Sequence, residues 1–70
     1  MNYDSVYEKI GKKIKATRLK NRISQEELGA LAGLNRAYMG DVERGRNISI
    51  KTLYKIAKAL KVSSSEILPF

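Results

Sequence analysis

The chain has neither cysteine nor histidine among its 70 residues. Disulfides and thiolate metal sites are therefore excluded, and the commonest general base and metal ligand is missing. Catalysis would have to rest on Asp41, Glu43 or Tyr38, none with an evident partner or pocket. No enzyme activity, metal, cofactor or small-molecule effector is expected. Proline occurs once, at Pro69. No apolar run approaches the ~20 residues of a membrane span, and no signal-peptide core opens the chain, so a cytoplasmic protein is expected. Acidic residues are scarce, seven against fourteen basic, for a net charge of +7. Such a balance favours polyanions, nucleic acid first among them, although charge alone also serves solubility. A chain this short forms one domain, residues 1–70, and buries only about 60% of the surface its unfolded form exposes. Association with a second copy would add buried area without disulfides or metals.

What is present is a dense set of helix signals, with no strand, linker or repeat. From about Ser5 to Lys20, Val6, Ile10 and Ile14 recur every four residues and make a core stripe. Ser5 with Glu8 can form a capping box at the start of this helix, and Asn21 can end it in a left-handed conformation. The opposite face carries Lys9, Lys12, Lys13, Lys15 and Lys20, a mostly solvated row. Ser24 with Glu27 makes a second capping box, and Leu28 and Ala32 share one face of the helix it opens. Gly33 stands where that helix would stop, and Leu34 can plug the corner. Asn35 can cap a third helix whose apolar positions are Met39 and Val42. Gly29, lacking a side chain, lets that helix pass close by. Two helices joined through a short glycine-containing turn describe a helix-turn-helix. Ser49 is expected to cap a fourth helix running to about Lys61, with Leu53, Ile56, Ala57 and Leu60 inward. Ser63 with Glu66 opens a fifth through Leu68, where Pro69 stops it. The expectation is an all-α, compact five-helix domain.

The stretch Gln25 to Arg44 resembles the helix-turn-helix family of the Cro and phage-repressor type. Ile10-Gly11 with Ile14 and Arg18 looks like that family's first helix, and Ser24 to Leu28 like the start of its second. Val42 to Gly45 looks like the end of its third. Thr52-Leu53, Ile56-Ala57 and Ala59-Leu60 look like its fourth. The likeness runs from about residue 8 to 68. Within the family, Asn35 to Gly40 followed by Glu43 to Asn47 is similar to controller proteins of restriction-modification systems. The resemblance implies a lambda-repressor-like DNA-binding domain with helices two and three as the helix-turn-helix. It also implies that Arg18 and Glu43 form a structural ion pair, that Gln25 clamps a phosphate, and that the protein dimerises through its C-terminal end.

Such proteins insert the second motif helix into the major groove, N-terminal end first. That end is Asn35-Arg36-Ala37-Tyr38. Arg36 suits guanine, because a guanidinium matches O6 and N7 with two hydrogen bonds, and Ala37 can meet a thymine methyl. Asn35 can cap the helix, touch a base, or both. Tyr38 is expected on the sugar-phosphate backbone, the other possibility being partial burial between helices. Gly40 costs about 1 kcal/mol against alanine in a helix, which close approach to DNA or to a neighbouring helix would explain. Arg44, Arg46, Asn47 and Ser49 surround the following loop and can meet the backbone, with Arg46 also able to enter the minor groove. The other reading of Arg44 and Arg46 is ordinary solvated charge. Asp41 can accept from a cytosine amino group, but solvation away from DNA is the favoured expectation. At the C-terminus, Val62, Ile67, Leu68 and Phe70 exceed what a small core can take, and the surplus marks an association surface. Ile67, Leu68 and Phe70 are the expected dimer contacts.

The resulting expectation is a transcriptional regulator that binds double-stranded DNA as a homodimer on inverted repeats, either a controller protein or a small phage-type repressor. The alternative is an antitoxin that covers a toxin. That class often carries an extra wrapping segment, and none follows Phe70 here.

Overall fold

The computed structural model describes residues 4 to 70. Four α-helices follow in order, α1 (Asp4–Lys20), α2 (Gln25–Ala32), α3 (Arg36–Glu43) and α4 (Ile50–Leu60), and then a single 3-10 turn (Ser64–Glu66). No strand occurs among the described residues.

Local chemistry sets most boundaries. The Ser24 hydroxyl accepts from the Glu27 N–H at 3.0 Å, and the Glu27 carboxylate accepts from the Ser24 N–H at 3.1 Å, so two otherwise orphaned donors are satisfied at the start of α2. Asn35 Oδ1 accepts from the Tyr38 N–H at 2.7 Å and opens α3. Ser49 does the same for α4 through the Thr52 N–H at 3.1 Å. Each such cap contributes about 0.5–2 kcal/mol. Gly33 ends α2 with φ of 73°, a left-handed conformation that glycine adopts without penalty.

Three expectations are corrected. Ser5 lies inside α1, which is under way at Asp4, so Ser5 and Glu8 do not open the helix. The left-handed residue after α1 is Arg22, with φ of 59°, not Asn21. Asn21 instead donates its side-chain amide to the Leu60 carbonyl at 3.2 Å and ties the end of α1 to the end of α4. The fifth helix contracts to one 3-10 turn, so the architecture is four helices and a turn. The Ser63 and Glu66 signal is present, with the Ser63 N–H donating to Glu66 Oε2 at 2.9 Å. The chain then leaves the helical path and drops Ile67 into the core.

That core is formed by Ile10 and Ile14 of α1, Leu28 of α2, Met39 and Val42 of α3, Leu53, Ile56 and Leu60 of α4, and Ile67. Ile14, Leu28, Met39, Ile56 and Ile67 are all fully buried. Burying one such side chain contributes about 1.5–3 kcal/mol, so Ile67 alone pins the C-terminal segment to the domain. The α2–α3 corner depends on Gly29. A Cβ there would lie 2.6 Å from the Leu34 carbonyl oxygen and 3.3 Å from Met39 Cγ. Any side chain would push α3 out of its seat against α2.

Candidate nucleic-acid interface

The α2–α3 corner brings two capped helix N-termini to one surface. Ser24, Gln25 and Glu26 at the start of α2, Arg36 at the start of α3 and Arg18 of α1 line a shallow depression of about 370 Å³. Gln25 and Arg36, the expected phosphate clamp and base reader, therefore sit beside one another. Arg36 and Ala37 are exposed. Free backbone N–H groups at such termini favour anions.

Behind the depression, Arg18 and Glu43 are buried together. Arg18 Nε donates to Glu43 Oε2 at 2.7 Å and Nη2 to Oε1 at 3.1 Å, a two-point pairing that joins α1 to α3. Arg18 Nη1 reaches the Ile23 carbonyl at 2.9 Å. Gln25 Nε2 also donates to Glu43 Oε1, at 3.1 Å. One carboxylate thus positions both the arginine that braces the fold and the amide that faces the surface. The Gln25 amide keeps one further N–H for a phosphate.

A second cluster follows along α3. Tyr38 is half-buried against the core, and the Arg46 guanidinium lies 5.0 Å from its ring centroid. Asp41 pairs with Arg44 at 2.6 Å and with Arg46 at 3.4 Å. Asp41, expected to be solvated away from DNA, is instead paired with two arginines of this surface. Arg44 runs back along α3, with Nη1 3.3 Å from where a Gly40 Cβ would sit, and Gln25 Oε1 is 3.6 Å from the same point. Gly40 thus gives room to the Arg44 side chain, not to a neighbouring helix backbone.

The remaining expected residues divide. Asn35 caps α3 through its oxygen, which leaves both protons of its Nδ2 for a base. Asn47 is exposed in the loop. The exposed Ser49 hydroxyl caps α4 and donates to Thr52 Oγ1 at 3.1 Å. Ser49 also borders an apolar groove of about 330 Å³ with Val6, Tyr7, Ile50, Leu68 and Phe70. Phe70 is 85% exposed and Ile50 81%. Leu68 is half-buried, and Ile67 is a core residue with no surface to offer a partner. Ile50 and Tyr7 were not singled out from the sequence.

Residues 14–67 match the HTH_3 helix-turn-helix family. The chain belongs to this family. This helix-turn-helix protein is 44% identical over 62 residues to Control protein C.BamHI of Bacillus amyloliquefaciens, covering 86% of this chain and 76% of that one. It is 41% identical over 59 residues to the Immunity repressor protein of Bacillus phage phi105, covering 83% of this chain and 41% of the repressor. Its fold superposes on the restriction-modification controller protein C.AhdI from Aeromonas hydrophila with a TM-score of 0.88 and 38% identity, covering 91% and 98% of the two chains. These three relatives are controller proteins and a phage repressor, regulators and not enzymes. No described helix is long and apolar enough to cross a membrane.

Proposed function

We propose that this helix-turn-helix DNA-binding regulator acts as a homodimer on inverted-repeat operators, as a restriction-modification controller or a small phage-type repressor. The observation that carries the reading is the shared surface of Gln25 and Arg36 at the two capped N-termini. In it α2 and α3 are the two motif helices. The first turn of α3 enters the major groove, where Arg36 and Ala37 meet base edges and Asn35 adds its Nδ2. Gln25, Tyr38, Arg44, Arg46 and Asn47 hold the phosphates on either side. Phosphate contacts set the register and base contacts choose the site.

The whole chain serves as one domain without catalysis, cofactor or effector, and works where cytoplasmic DNA is found. Control comes from concentration, through dimerisation. The apolar groove around Leu68, Phe70 and Ile50 supports an isologous contact, since a two-fold dimer buries the same patch twice. Its motif helices then face half-sites about 34 Å apart. Selection of duplexes from a random pool by the purified protein tests this reading. Enrichment of an inverted repeat bound by two chains is expected. Recovery of unrelated sequences would leave only a non-specific coating protein.

A further inference from the structure

We infer that Asp41 masks Arg44 and Arg46 in the free protein, so that DNA must displace it, and that this limits affinity for DNA of any sequence. The inference rests on the DNA-binding reading above. Glu26 also lines the depression beside Arg36, but Asp41 is the acid paired with Arg44 and Arg46. One carboxylate holds both guanidiniums, at 2.6 Å and 3.4 Å. Arg44 also lies across Gly40 beside Gln25, and Arg46 lies over Tyr38, so the masked charges are on the face that meets phosphate.

The pairs are exposed, with side-chain accessibilities of 71% for Arg44, 56% for Arg46 and 42% for Asp41. Exposed pairs are weak and screened by salt, so a phosphate can replace the carboxylate. The loop does not need the Asp41 side chain for shape. The Asp41 carbonyl accepts from the Arg44 N–H at 3.1 Å and the Arg46 N–H at 3.0 Å, and Gly45 N–H donates to the Val42 carbonyl at 3.1 Å. These main-chain bonds survive a side-chain change.

Asp41→Asn is the test, titrated against a random-sequence duplex and a duplex selected from a random pool by the wild type. Each extra effective positive charge steepens the dependence of log K on log salt by about 0.9, which amounts to about 5-fold tighter binding per protomer, or about 30-fold for a dimer, at ~0.15 M salt. Both duplexes should gain alike, with an unchanged melting temperature. In an Arg44→Gln/Arg46→Gln background the gain should fall below about 2-fold, because there is nothing left to unmask. A persistent gain in that background would reduce the effect to long-range charge and overturn the masking. Weaker binding by Asp41→Asn would show instead that Asp41 preorganises the arginines. Loss of preference at one base pair would make it a base reader. If the wild type selects no duplex from the pool and does not bind the random-sequence one, the DNA-binding reading itself falls. If it binds and Asp41→Asn changes nothing, only the masking falls.

Discussion

Glu43→Ala should cost more stability than any surface change in this protein. The Glu43 side chain is 3% accessible and that of Arg18 9%, and the carboxylate accepts from Arg18 Nε, Arg18 Nη2 and Gln25 Nε2. Truncation leaves the Arg18 guanidinium buried with only the Ile23 carbonyl as acceptor. Breaking a buried pair by removing one partner costs about 3–5 kcal/mol, because the stranded charge has lost its solvent and its counter-ion. At roughly 0.05–0.15 kcal/mol per residue, a domain this size has only about 3.5–10 kcal/mol to lose. Each kcal/mol moves the melting temperature by about 4–8 °C in so small a domain, so the ~3–5 kcal/mol loss predicts a fall of about 12–40 °C. Circular dichroism melts and urea titration would read it. Adding Arg18→Met should restore much of the loss, since removing both members of a buried pair costs far less than removing one. A Glu43→Ala protein melting within about 5 °C of wild type would refute the argument.

Affinity for the selected duplex should fall by about 10³–10⁵ between 50 and 200 mM salt, if a dimer makes roughly 6–10 phosphate contacts; a nearly flat response would point to a protein partner. Phe70→Lys with Leu68→Lys should sediment as a folded monomer that binds a full operator weakly, and a double variant that sediments as a dimer would place the interface elsewhere, with α1 the next candidate. Gly29→Ala should destabilise by at least the ~1–3 kcal/mol of an overpacked core, since its methyl would meet the Leu34 carbonyl oxygen at 2.6 Å, and a neutral change in a urea titration would mean the corner yields.

What the sequence makes legible here is local. Ser24 with Glu27, Asn35 and Ser49 announce three helix starts because a cap needs only residues within one turn of it. The stripe through Ile10 and Ile14 is legible because helical period alone creates it. Contacts set by distant parts of the chain are not legible. Asn21 has a left-handed preference, yet its amide is spent on Leu60, 39 residues away. Ile67 reads as surplus apolar surface until the turn after Glu66 carries it into the core. Gly11 signals nothing by spacing, although a Cβ there would lie 2.6 Å from the carbonyl oxygens of Val42 and Glu43 where α1 crosses α3. Asp41 looks like an isolated acid because its partners sit three and five residues on, across the end of a helix.

The central claim is that the first turn of α3 reads base pairs, and Arg36→Ala tests it most directly. Its exposed guanidinium has no structural partner to lose in the hydrogen bonds and ion pairs described above, so folding should be intact. Binding to the selected duplex should weaken by about 1–3 kcal/mol, with preference relaxed at one base pair in each half-site, while affinity for random-sequence DNA changes little beyond the loss of one charge. Unchanged preference at every position in a repeat of the selection would contradict the account and move the reading surface off α3.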